Sequence, residues 1–370
     1  MTTFKYENCT SKQYVRSKGW IPEAKERLAR LPKVSQRGPR RRLRYLTFCA
    51  EGAIDVLALR NAKIIKKSAE KLYDTVTFFD FAPQAVDKTL RIIEGANGFP
   101  IDFFELINSD YPEIPQSESD LDPQDAEEDD VTFREAKNRY LYGDFRRSFP
   151  FDLMNLDVER YVIRPTEKLP GELLTAWDKI LEWQKREGSF GKLKIKVDEF
   201  TVFFTAKIGP RELPDTHRDN LIRVIEANIE RFPDLKHILS SRFSEDNAEK
   251  LYHSNFDEFF KLAVPKALIS RALAKDWMLD LELSYKAFEF DRQPPASDEY
   301  TMVHYILHFR RCAPSLDAQI NPLNLPLAVA KVYGESVTRV FTTPCDDVDV
   351  SKMDDEATLK MELGALGVAV

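Results

Sequence analysis

Polar side chains able to hold a ligand stand where four apolar runs of this chain stop. Asp80 closes the run from Val76, Glu105 closes the run from Ile101, Asn155 and Asp157 end the run from Phe151, and Thr205 ends the run from Phe200. An ionised carboxylate only accepts hydrogen bonds and suits a vicinal diol, whereas an amide both donates and accepts. Such groups bind polar ligands or orient a nucleophile. They act together only if the four runs lie side by side with the same ends up.

The runs themselves imply that arrangement. Each is near-continuously apolar, the pattern of a strand covered on both faces, and helix-like segments separate them. Five successive strand and helix units, with strands near 44–50, 76–81, 101–107, 151–157 and 199–206, predict an α/β fold. Its core is a doubly wound, mostly parallel sheet with helices on both faces. Ligands of open parallel sheets bind beyond the carboxyl ends of the strands. Asp80, Glu105, Asn155, Asp157 and Thr205 are therefore expected around one crevice, with Asn155 and Asp157 on one face of their strand about 6.6 Å apart. Past residue 243 the pattern changes to helices, one of them expected to break at Pro265. Two strand-like runs follow, Leu281–Phe290 and Tyr300–Phe309, and predict a C-terminal antiparallel hairpin.

This reading divides the chain into three parts. Residues 1–43 form an N-terminal helical extension, with a helix near 22–31 and a basic segment after it. Residues 44–312 form a Rossmann-like domain carrying an acidic loop insertion at 109–133 and a helical insertion at 243–278. Residues 313–370 form a tail with few strand signals.

Composition narrows the class. The chain has 370 residues, 43% of them hydrophobic and 31% charged, which is the balance of a water-soluble globular protein. No stretch is apolar enough to cross a bilayer and the N-terminus lacks the apolar core of a signal peptide, so a cytoplasmic protein is expected. Cys9, Cys49, Cys312 and Cys345 show no paired spacing, and His304 and His308, if on a strand, stand about 13 Å apart, so no metal site is expected. No phosphate-binding loop, nucleophile elbow or kinase signature occurs.

With these elements in place, the order of strands over residues 44–312 resembles the class I S-adenosylmethionine-dependent methyltransferases. That family has five parallel strands and then a hairpin that inserts its last strand antiparallel. The resemblance implies S-adenosylmethionine as cofactor, with the acid ending the second strand, Asp80, on the ribose hydroxyls. The other reading of Asp80 is a cap for the helix that starts near Pro83. The resemblance places Glu51 and Gly52, in the turn from Phe48 to Ala53, and Glu105 beside the cofactor, with Glu51 on the methionine ammonium. It gives Asn155 and Asp157 the acceptor side, where they orient the nucleophile or act as a base. Gly52 is the lone glycine in a turn where the family carries alternating glycines, and the Pro-Pro-Tyr of the family's fourth-strand motif is absent here.

Charge points to partners. Residues 109–133 hold ten acids and no base, whereas 33–44 hold only bases among their charged residues. Arg40, Arg41, Arg42 and Arg44, with Arg146 and Arg147, are candidates for phosphate contact, and hence for nucleic acid as methyl acceptor; the alternative is a solvated connector. Two other functions remain open. One is a non-catalytic Rossmann-like subunit or scaffold with a protein partner, favoured by the glycine-poor turn. The other is a different nucleotide-binding enzyme such as a dehydrogenase, disfavoured by the missing glycine fingerprint.

Overall fold

A computed structural model describes residues 6–33, 40–48, 53–65, 75–109, 130–162, 172–190, 193–208, 215–283, 285–290, 301–312, 327–348 and 353–367. Glu51, Gly52 and most of the acidic insertion lie outside these residues.

The central sheet is built from β1 (Tyr45–Phe48), β2 (Val76–Phe79), β3 (Asn97–Phe99), β4 (Leu153–Tyr161), β7 (Glu199–Ile208), β8 (Trp277–Leu279), β9 (Lys286–Phe290), β10 (Thr301–Arg311) and β11 (Asp346–Val348). A small separate hairpin joins β5 (Gly188–Phe190) to β6 (Leu193–Ile195). Across the sheet the order is β11, β9, β10, β7, β4, β1, β2, β3. The five strands from β3 to β7 run parallel. β10 lies between β7 and β9, antiparallel to both, and β8 extends the β9 side of β10. This is the mostly parallel α/β sheet with an inserted antiparallel strand expected from sequence. The order reverses between β1 and β4, which makes that junction the topological switch point.

Strand alternation divides the core in two. Tyr45, Phe78, Leu153, Phe203 and Ile306 point into one apolar layer, and Leu46, Phe79, Met154, Phe204 and Leu307 into the other. Both faces are covered, which is why the strands read as unbroken apolar runs.

Three expectations change. The run at 101–107 is not a strand: Asp102 caps a helix, Phe103–Asn108, by accepting the N–H groups of Phe104 and Glu105. The third strand is instead the three residues of β3, where Gly98 lets the chain pass Phe78 and Val86, because a Cβ there would stand 2.6 Å from the Phe78 ring. Pro265 does not break its helix, which runs from Phe256 to Ala274 with Pro265 buried inside it. Finally, β11 pairs with β9 at the sheet edge, in a region with few strand signals.

The N-terminal segment packs on the sheet. Helix Tyr6–Val15, a π-helical turn Arg16–Trp20 and helix Ile21–Arg30 follow one another as a continuous arm. Trp20 stacks on Phe203 with ring centroids 5.1 Å apart and planes within 6°. Val15, Trp20, Ala24 and Leu31 are buried in the same layer as Tyr45 and Phe78. Gly19 permits this approach, since a Cβ there would lie 2.9 Å from the Phe288 ring.

Candidate functional site

Cross-strand register decides which polar groups meet. Thr47 of β1 stands beside Asn155 of β4, and Asp157 stands beside Thr205 of β7, which in turn faces His304 of β10. All five point to the face covered by the N-terminal arm. The helix after β1, Ile54–Asn61, contributes Asp55 from its first turn.

These groups form two linked clusters beneath the arm. In the first, the Asn155 side-chain amide donates to Asp55 Oδ2 at 2.7 Å and to Thr47 Oγ1 at 3.3 Å. The other Asp55 oxygen accepts Arg16 Nε at 2.7 Å. In the second, Lys12 Nζ donates to Asp157 Oδ2 at 2.8 Å, and Thr205 shares a hydrogen bond with His304 Nδ1 at 2.5 Å. Asn155, Thr47 and Thr205 are fully buried.

The electrostatics follow from that burial. Desolvation pushes the Asp157 carboxyl upward, but the charges of Lys12 and Arg16 and the Lys12 hydrogen bond overcome it and hold the group down at about 2. Asp157 is therefore a fixed anion at neutral pH, unable to cycle protons as a general base whose pKa is tuned near 7 would. His304 is driven the other way: burial lowers it to about 3, against the pull of Asp157, so it is a neutral imidazole.

The remaining candidates lie elsewhere. Asp80 directly follows β2, two strands from Asn155, and its Oδ1 accepts the Ala82 N–H at 3.0 Å ahead of helix Pro83–Ile92. The capping role is thus present. Phe81 beside it is 79% exposed. Glu105 is exposed in the first turn of helix Phe103–Asn108, beyond a T-shaped packing of Phe48 and Phe79 on Phe103. Asn155 and Asp157 are brought together; Asp80 and Glu105 do not join them.

The basic residues gather at the opposite, amino end of the strands. Arg41 forks onto buried Asp152, Arg44 donates to the Ser148 carbonyl and lies over the Phe151 ring, and Arg40 donates to the Leu31 carbonyl. Arg147 is exposed beside Asp144. The contacts of Arg40, Arg41 and Arg44 join β1, β4 and the arm.

The acceptor side of the resembled site is closed among the described residues: Asn155, Asp55 and Asp157 face the arm, and Arg16 and Lys12 occupy them. Of the residues placed beside the cofactor, Asp80 is partly exposed and Glu105 exposed, while Glu51 and Gly52 lie outside the described residues. Three residues missed from sequence, Lys12, Arg16 and Asp55, prove to be the partners of the predicted pair. Lys12 and Arg16 are one helical turn apart, the only sequence signal that they share a face.

No family model matches the sequence, and no curated protein matches it. Among solved structures, the M. jannaschii TYW2 in complex with AdoMet is similar at a TM-score of 0.30 and 10% identity, covering 79% of this chain and 75% of that one. A Pyrococcus horikoshii transferase candidate, PH0793, is similar at a TM-score of 0.28 and 8% identity, covering 79% of this chain and 64% of that one. Among the described residues no helix is long and apolar enough to cross a membrane.

Proposed function

We propose that this chain uses a methyltransferase-type sheet as a non-catalytic scaffold, a subunit that holds protein partners and transfers no methyl group. The carrying observation is that the chain's own cations cover the sheet face beside the switch point, Arg16 on Asp55 and Lys12 on Asp157. Breaking a buried ion pair from one side costs about 3–5 kcal/mol. A methyl acceptor entering here has to displace both pairs. Arg40, Arg41 and Arg44 serve the fold in this reading, so nucleic acid is not the partner it favours.

Isothermal calorimetry and thermal shift of the full chain with S-adenosylmethionine and its demethylated product test the proposal. The expected result is no saturable heat and no shift in Tm. Micromolar binding of either compound overturns it.

One observation favours the enzymatic reading: Asp80 ends β2 and stays partly exposed, as the ribose-binding acid of the resembled family does. On that reading S-adenosylmethionine is the cofactor, Asp80 binds it, and Asn155 and Asp157 orient the acceptor without moving protons. Asp80→Ala then abolishes ligand-dependent stabilisation while leaving the unliganded Tm unchanged within about 1 °C, the size expected for a surface substitution.

A further inference from the structure

We propose that the cluster of Asp55, Asn155 and Asp157 is a binding site for small organic cations, which the chain fills with Arg16 and Lys12 as an internal ligand. The inference rests on the scaffold reading only in taking the arm as the cover of this sheet face.

Charge and geometry carry it. Asp55 and Asp157 are two carboxylates under the arm, connected by Asn155, which stands two residues before Asp157 on β4 and donates to Asp55. Two anions there are tolerable only if cations face them, because an uncompensated buried charge is strongly unfavourable. Whatever replaces the arm must therefore bring positive charge. The acceptors are also not saturated. Asn155 Oδ1 and Asp157 Oδ1 are buried without a hydrogen-bond partner, and so is one donor of the incumbent, Arg16 Nη1. Arg16 thus makes a single bond to Asp55 through Nε, where a guanidinium can make a fork. A free planar cation, unconstrained by the arm's backbone, can make on Asp55 the fork that Arg16 does not.

The arm has anchors other than Arg16 and Lys12. Val15, Trp20, Ala24 and Leu31 are buried in the apolar layer, Arg27 pairs with Glu199 and Glu23 with Lys286, and Gln13 and Ser17 bond Glu362 of the helix Glu356–Ala365. Cutting the side chain of Arg16 or Lys12 therefore empties its position while these anchors keep the arm in place.

Chemical rescue in the full chain tests the site. Arg16→Ala is expected to lower Tm, and guanidinium chloride at low millimolar concentration to restore about 2 °C or more of the loss along a saturable curve. Potassium chloride at equal ionic strength restores nothing, and wild type shows no rise. Methylammonium does the same for Lys12→Ala. Should Arg16→Ala fail to fold, Lys12→Ala, whose side chain is closer to the surface, carries the test alone. The double variant Arg16→Met with Asp55→Asn removes both charges and is expected to ignore guanidinium. Absence of saturable rescue in either single variant, or equal stabilisation of wild type, overturns the proposal. Micromolar binding of S-adenosylmethionine to wild type, by contrast, overturns the scaffold reading and leaves the rescue result standing.

Discussion

The guanidinium of Arg41 meets the carboxylate of Asp152 in a two-pronged ion pair, both contacts at 2.5 Å, and Asp152 also accepts the Arg44 backbone N–H at 2.9 Å. Asp152 has no exposed surface. Three bonds to a buried carboxylate make the basic segment part of the frame that aligns β1 with β4.

Arg41→Ala leaves that carboxylate buried and short of its cation, so it is expected to cost about 3 kcal/mol or more. Urea unfolding followed by circular dichroism measures it. An unchanged midpoint, together with weaker and salt-dependent binding to DNA or RNA, is what a phosphate-binding segment gives instead.

Stability should fall with acid in two steps. His304 binds a proton near 6.5 when unfolded and near 3 when folded, so its contribution is complete above pH 6.5 and is lost as the pH drops toward 3. The slope is about 1.4 kcal/mol per pH unit for one proton. Asp157, depressed from 3.8 to about 2, adds stability that is complete above pH 4 and is lost between there and pH 2. Urea midpoints from pH 7.5 down to the limit of folding trace both. His304→Gln is expected to flatten the upper step, and Lys12→Met to shrink the lower one.

Docking of the arm is expected to be worth more than its length suggests. Trp20 is 2% exposed and stacked on Phe203, so Trp20→Ala should cost about 3–5 kcal/mol. Gly19→Ala forces a methyl against the Phe288 and Ile306 side chains and should cost about 1–3 kcal/mol. Proteolysis of both variants is expected to cut within residues 6–30 sooner than in wild type. A merely appended extension gives unaltered unfolding midpoints for the rest of the chain.

The sheet was legible because its central strands are long and apolar: β4, β7 and β10 announce themselves. β3 did not, being three residues with a glycine in the middle, and the neighbouring run that looked like a strand owes its apolar side chains to a capped helix. The arm has the sequence pattern of an extension for a different reason. Its buried stripe, Thr10, Gln13, Arg16, Trp20, Glu23 and Arg27, has helical spacing but is mostly polar, so a search for apolar periodicity passes over it. Strand alternation suffices to put Asn155 and Asp157 on one face, where the register has them. Their partners come from 100 residues away for Asp55 and 145 for Lys12, distances at which local pattern holds no information.

Ser17 and Gln13 reach Glu362 across 345 and 349 positions of chain. Contacts so remote in sequence are slow to form, since the entropy of closing the intervening chain is lost before any bond returns it. The segment that covers Asp55 and Asp157 is thus tied at its outer side to the far end of the described chain, so loosening the helix Glu356–Ala365 is felt at the arm.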